Sequence, residues 1–318
     1  MCRLLVYVGP QNPILMSNLL ILPPRSIIHQ SYACELREKS PSSALNGDGF
    51  GVGWYANSSI SPCIFTSISP AWNNRNLHRL SSQITSPLFF AHIRAASPGS
   101  PTNESNCHPF QFEQFMWMHN GMIADFHLIK KNIIHFLSDD IFNLIQGTTD
   151  SEYAFVLFLQ VLFTKLGLKF QPTDNKIIPS SNIQIQNCEP MILKDAMDKT
   201  IRLLNQWIRE SGTKNSSMMN FCVTDGSTVV SSRYTNFHDG TIASLFFSSG
   251  TNFQRNPAKP ESFMMAQSDR RQRCHIIASE PLTADTDDWV EVPRNHIVVV
   301  TPLSNLLLFP IDDIIIKQ

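Results

Sequence analysis

The sequence predicts an α+β fold in which mostly antiparallel sheets are covered by helices. Three observations carry that reading. Apolar runs of strand length, bounded by Gly, Pro and Asn, recur from Cys2 to His119 and again from Asn220 to Phe309. Between them lie two stretches of helical length, Tyr153 to Leu166 and Met191 to Glu210. No internal repeat is visible, so the strands belong to sheets with helical cover rather than to a solenoid.

Cys2 to Val8 is an apolar run closed by Gly9-Pro10, which predicts a buried strand with Cys2 fixed at a sheet end. A short apolar segment, Ile14 to Leu22, stops at Pro23-Pro24, and Ser26 to Ala33 leads into a polar loop. The glycines of Gly47-Asp48-Gly49-Phe50-Gly51-Val52-Gly53 permit positive φ and close backbone approach to a ligand. No Lys-Ser/Thr or helix follows, which separates this stretch from a phosphate loop, and the apolar run after it predicts a strand. Cys63 to Ser69 returns as its hairpin partner, and Leu77 to Ile84 predicts a short polar helix. Leu88 to Ile93 is the next strand and runs into Arg94, followed by a loop from Ser97 to Pro109. Phe115 to His119 forms another strand, expected to end at Asn120-Gly121. Phe126, Ile129, Ile133, Phe136 and Leu137 then recur at helical spacing, which argues against a two-residue hairpin there.

Thr149-Asp150-Ser151-Glu152 fits a capping box, Thr149 as N-cap and Glu152 three residues on, with Asp150 in the first turn where the helix dipole favours a carboxylate. The helix that follows is apolar nearly all round and is expected to be buried. Gln171 to Glu189 is polar and Pro-rich and predicts a surface insertion. Leu193, Met197, Ile201, Leu204 and Ile208 make one stripe on the helix from Met191 to Glu210. Strands are expected at Asn220 to Thr224, Thr228 to Tyr234, Ala243 to Ser248, Cys274 to Ala278, Ile297 to Thr301 and Leu306 to Phe309, interrupted by a flexible loop from Asn252 to Arg273.

Composition narrows the function. The 318 residues are 42% hydrophobic, enough for a large core, while only 16% are charged and the net charge is −1. That balance offers no footprint for nucleic acid or an anionic membrane, so the expected partners are small molecules or proteins. The 7 cysteines are scattered and show no C-x-x-C spacing, which argues against a disulfide framework or a zinc site and for a reduced, intracellular protein. The N-terminal residues lack the pattern of a signal peptide, and the apolar run from Ala154 to Phe163 is too short to span a bilayer.

The chemistry concentrates on Cys2. Removal of Met1 would leave a thiol and a free α-amine on one residue, and such an amine has a pKa of about 7.7–8.0, suited to act as a base near neutral pH. Nucleophile and base would then be one residue. Arg94, at the end of an apolar strand, offers a guanidinium fork for a carboxylate. His92 and His119 are expected to be packed or hydrogen-bonded structural residues.

In chain order Cys2, Arg94-Ala95-Ala96-Ser97, His119-Asn120-Gly121 and Thr149-Asp150-Ser151-Glu152 resemble the motifs of the class II glutamine amidotransferases, N-terminal-nucleophile hydrolases. A fuller resemblance, carried by Gly47 to Val52, Pro70 to Asn74, Asn106 to Phe110, Val223 to Val230 and Ala278 to Leu282, is to the amidotransferase-type subunits of the fungal glutathione-degrading DUG complex. The resemblance implies a four-layer αββα fold and a single type-2 domain over residues 1–318, with surface insertions near 170–190 and 252–273. It implies Cys2 as nucleophile, the Asn120 amide and Gly121 N–H as oxyanion donors, and Arg94, Ser97 and Asp150 as the substrate-binding set. Pro98 departs from the pattern, because many relatives have a histidine there. The implied activity is cytoplasmic hydrolysis of the γ-glutamyl bond of glutathione, without metal or cofactor and with a metallopeptidase-like partner subunit. Alternatives are a glutaminase supplying ammonia to a partner synthase, or an inert regulatory subunit.

Overall fold

The computed structural model describes residues 2–33, 45–56, 59–96, 101–171, 176–179, 188–236, 243–285 and 287–311, with the backbone alone given for 169–171 and 176–179. Strand Arg3–Val8 lies at the centre of a seven-stranded sheet, in the order Val290–Glu291, Phe246–Gly250, Cys274–Ala278, Arg3–Val8, Leu88–Ile93, Phe50–Trp54, Cys63–Ser67. A second sheet has six strands, in the order Leu306–Pro310, His296–Val300, Val229–Arg233, Met218–Thr224, Phe115–Met122, Phe110–Phe112. Every pairing within the two sheets is antiparallel.

Alternation along the strands builds three cores from two sheets. Leu5 and Tyr7 face outward, onto Leu19, Leu20, Ile27 and Phe253. Leu4, Val6 and Val8 face inward and meet Met116, Met118, Cys222 and Val298 of the second sheet. On the far face of that sheet, Phe115 and Trp117 pack on Phe155 and Phe158 of helix Asp150–Leu166 and on Leu204 of helix Pro190–Glu210. The resulting layers are helix, sheet, sheet and helix, an α+β architecture. Helix Asp150–Leu166 is apolar on most of its circumference because both the second sheet and helix Pro190–Glu210 pack against it.

Several expectations change. Strand Phe115–Met122 runs through Asn120-Gly121 instead of ending there, because both residues pair with Met218–Thr224. The stretch expected as a flexible loop from Asn252 to Arg273 holds a hairpin, Asn252–Asn256 with Lys259–Ala266, whose Phe253, Phe263 and Met265 enter the outer core. Strand Ala243 to Ser248 is displaced to Phe246–Gly250. Leu168–Gln171 pairs with Lys176–Pro179 inside the expected insertion, while residues 172–175 and 180–187 of it lie outside the described residues. The glycines after Asn46 make room for the protein itself. A Cβ on Gly51 would lie 2.1 Å from the His108 carbonyl oxygen, and Gly49, at φ +111°, has Cys107 Sγ and the Ser67 carbonyl 2.8 Å from where its Cβ would be.

Candidate active site

The parity that buries Leu4 and Val6 between the sheets carries Cys2 to the same face one step further, at the end of the layer. On the neighbouring strand, Phe90 faces the same layer, and Arg94 follows at the same parity. The register pairs Arg3 with Ile93, so Cys2 stands beside Arg94 and Ala95. Its Sγ accepts from the Ala95 N–H at 3.3 Å and lies 3.5 Å from the Ala95 carbonyl. The Arg94 N–H donates to the Gly49 carbonyl at 2.8 Å, the Asp48 N–H donates to the Arg94 carbonyl, and Asp48 Oδ2 accepts from the Ala96 N–H at 2.9 Å. The loop before Phe50 is thereby zipped onto the strand end, and the Arg94 guanidinium is buried against the carbonyls of Asp48 and Pro101. Arg3 turns the other way, donating to the Cys2 carbonyl at 3.1 Å and pairing with Glu280 at 2.5 Å.

The second sheet brings the remaining residues. Asn120 shares the inward parity of Met116 and Met118, and its Nδ2 donates to Ser279 Oγ at 2.9 Å while its Oδ1 is buried without a hydrogen-bond partner. A Cβ at Gly121 would sit 2.0 Å from the Met218 carbonyl oxygen, so only glycine lets the strands pair here. Asp150 opens its helix after Thr149, whose hydroxyl accepts from the Glu152 N–H. Its Oδ2 accepts from the Ile123 N–H at 2.7 Å and its Oδ1 from the Ser151 N–H at 2.9 Å, which aims the carboxylate at the strand carrying Asn120. Glu152 does not complete the capping box: its carboxylate reaches back to the N–H groups of Gln146 and Gly147. Ser97 and Pro98 lie outside the described residues.

Two links join the halves. His92 Nε2 bonds the His119 carbonyl at 3.1 Å, and Ser279 Oγ accepts from both Leu4 N–H and the Asn120 amide. Burial pushes the Cys2 thiol up, against the pull of the Ala95 N–H and the Arg94 and Arg3 charges. The resting sulfur is therefore a thiol, and attack on a carbonyl requires a base. Burial also lowers the pKa of His92 to about 3, of His108 well below the ordinary range, and of His119 against the pull of Asp150. His119 is occupied at both nitrogens, with Ser151 Oγ at 2.8 Å and the Met218 carbonyl at 2.9 Å. It is placed to hold strand to helix rather than to take the thiol's proton.

Ser279 and Asp48 were not singled out as site residues from the sequence. Both stand inside stretches that carried the family resemblance, Ala278 to Leu282 and Gly47 to Val52, which was the available signal. Among the described residues no group of His, Cys, Asp and Glu side chains is arranged to hold a metal ion, and no helix is long and apolar enough to cross a membrane.

The model of the class II glutamine amidotransferases matches residues 16–180. The chain is 41% identical over 323 residues to the probable glutamine amidotransferase DUG3 of Saccharomyces cerevisiae, covering 98% of this chain and 85% of the yeast protein. It is 30% identical over 123 residues to the gamma-glutamyl-hercynylcysteine sulfoxide hydrolase of Mycobacterium tuberculosis, covering 39% of this chain and 50% of that one. A glutamine aminotransferase class-II domain protein from Silicibacter pomeroyi shares the fold with a TM-score of 0.59 at 19% identity, over 97% of this chain and 99% of that one. The order of the two sheets, the strand-end cysteine and these likenesses lead to one conclusion: the chain belongs to the class II glutamine amidotransferases.

Proposed function

We propose that this chain hydrolyses the γ-glutamyl bond of glutathione, releasing glutamate and cysteinylglycine, as the amidotransferase-type subunit of a complex with a metallopeptidase-like partner in the cytoplasm. The observation that carries the reading is the Cys2 sulfur beside Arg94 and Ala95 at a strand end, with Ser279 Oγ joining Leu4 of the same strand to the Asn120 amide. The near full-length likeness to the yeast protein and the γ-glutamyl chemistry in the mycobacterial protein's name support it.

In this reading Met1 is removed and the chain acts as a single domain. The Arg94 fork holds the substrate α-carboxylate, and the Asp150 carboxylate, an acceptor fixed by two N–H groups, holds the α-ammonium. The family resemblance adds Ser97 to this substrate-binding set. Because the thiol is desolvated, its proton passes to the Cys2 amine as sulfur bonds to the γ-carbonyl carbon. The oxygen of the tetrahedral intermediate takes its charge against the Asn120 amide and the Gly121 N–H, donors worth roughly 3–4 kcal/mol each in comparable sites. Collapse breaks the C–N bond, and the amine of Cys2 returns the proton to the leaving amine. Water then attacks the thioester, giving glutamate and the free thiol.

The test compares glutathione and glutamine turnover by the purified protein, alone and with its partner, alongside Cys2→Ala and an intact mass. Cysteinylglycine release that disappears in Cys2→Ala, from a chain lacking Met1, is the expected result. Retained Met1 or Cys2-independent turnover refutes the nucleophile, and glutamine turnover without glutathione turnover favours an ammonia-supplying glutaminase.

A further inference from the structure

Ser279 stands one residue past strand Cys274–Ala278, opposite Leu4. Its main-chain N–H donates to the Leu4 carbonyl at 3.0 Å, as an antiparallel ladder requires. The reciprocal bond is different. Leu4 N–H donates to Ser279 Oγ at 3.0 Å, and the Ser279 carbonyl instead accepts from Ser244 Oγ at 2.7 Å. A side-chain oxygen has taken the place of a main-chain one in the ladder of the strand that carries Cys2. That same oxygen accepts the Asn120 amide from the other sheet at 2.9 Å, so both acceptor positions of one hydroxyl are filled. Ser279 is 2% exposed and Asn120 is 2% exposed, so water does not compete for either bond.

We infer that Ser279 is a positioning residue for the reaction: its hydroxyl fixes the Asn120 amide at a set distance from the nucleophile strand, so that the second amide hydrogen is aimed at the developing oxyanion. Leu4 is two residues from Cys2 on the same strand face, about 7 Å along the strand, which leaves room for a carbonyl group between sulfur and amide. Among the described residues the Asn120 side chain has no other hydrogen-bonded anchor: its Oδ1 is buried without a partner. Without Ser279 the amide keeps its place in the sequence and loses its aim. The next residue tightens the same clamp, because Glu280 pairs with Arg3, whose guanidinium holds the Cys2 carbonyl. One short segment thus ties the nucleophile strand to the oxyanion donor.

This inference rests on Asn120 acting as oxyanion donor to the Cys2 thiol, and a double-mutant cycle separates the two. Ser279→Ala, Asn120→Ala and the double variant are assayed for kcat and KM on the γ-glutamyl substrate that the wild-type protein turns over, with alkylation of Cys2 by iodoacetamide measured in each. Ser279→Ala is expected to lower kcat roughly ten- to a hundredfold with KM nearly unchanged, as misplacement of a catalytic group by about 1 Å does. The same substitution in the Asn120→Ala background is expected to cost nothing further, and Cys2 is expected to alkylate at the wild-type rate in all three. Equal losses in both backgrounds, a rise in KM alone, or full activity of Ser279→Ala overturns the role of Ser279. Full activity of Asn120→Ala overturns the oxyanion assignment and the Ser279 inference with it. Ser279→Cys, nearly isosteric with a weak sulfur acceptor, is expected to fall between serine and alanine; activity at or below that of Ser279→Ala counts against the hydrogen bond.

Discussion

The half of the site on the seven-stranded sheet and the half on the six-stranded sheet are held by different means. Cys2 and Arg94 are fixed by main-chain groups: Ala95 N–H and carbonyl at the sulfur, the carbonyls of Asp48 and Pro101 at the guanidinium. Their placement follows from strand register, which the flanking apolar residues enforce. Asn120 depends on the buried Ser279 side chain, and the helix that opens with Asp150 is tied to its neighbouring strand by the buried His119–Ser151 bond. The Asp150 carboxylate itself accepts from the main-chain N–H groups of Ile123 and Ser151. The first half should tolerate neighbouring side-chain changes, and the second should not.

The largest effect tests whether the first half carries the chemistry: Cys2→Ala is expected to reduce γ-glutamyl hydrolysis to background with an unchanged melting temperature. Next come the two charged contacts, Arg94 after a strand of the seven-stranded sheet and Asp150 at the start of the helix packed on the six-stranded sheet. Arg94→Lys removes the fork and Asp150→Asn the anion. Each is expected to raise KM roughly ten- to a hundredfold, the range of a lost charge-assisted hydrogen bond. Asp150→Asn is also expected to lower stability, because an amide cannot accept from both Ile123 and Ser151 as the carboxylate does. If Arg94→Lys destabilises as much as Asp150→Asn, the contrast between the halves fails.

A smaller effect isolates the support of the second half. Ser151→Ala leaves His119 Nδ1 buried without its partner and is expected to lower unfolding free energy by about 1–3 kcal/mol in urea titrations. The pH dependence at the seam between the sheets is the smallest effect near neutrality and grows on acidification. His92 is held neutral, its pKa lowered from 6.5 to about 3, while in the unfolded chain it regains the ordinary value. The unfolded state therefore binds the proton first as pH falls through about 6.5. Stability is full above that pH and declines toward pH 3, by up to about 1.4 kcal/mol per unit for each such group. His92→Gln is expected to flatten this decline in urea midpoints measured from pH 7 to 4.

Local pattern was enough where one residue's environment repeats along an element. Strand Leu88–Ile93 and helix Asp150–Leu166 are continuous apolar runs with clear punctuation, and both were legible. The hairpin Asn252–Ala266 was not, because its solvent face carries Gln254, Arg255, Glu261 and Ser262 and only Phe253, Phe263 and Met265 reach the core. Asn120-Gly121 reads as the end of a strand by composition, yet the neighbouring strand carries the pairing through it: Met219 pairs with Gly121 and Asn220 with Asn120. The identities of Cys2, Arg94, Asn120 and Asp150 came from motif order, whereas the placing of Cys2 beside Arg94 needed the sheet register. Ser279 acts on Asn120 across 159 positions, a contact that no local spacing encodes.

The central place of strand Arg3–Val8 has a consequence for synthesis. One of its flanks, Leu88–Ile93, leaves the ribosome early, but the other, Cys274–Ala278, is among the last strands made. Strand Arg3–Val8 therefore emerges long before its own sheet can close around it. In the proposed reading Met1 is open to a methionine aminopeptidase during this interval, and a nascent chain arrested before residue 274 carries the thiol without the wall that Ser279 and Glu280 supply.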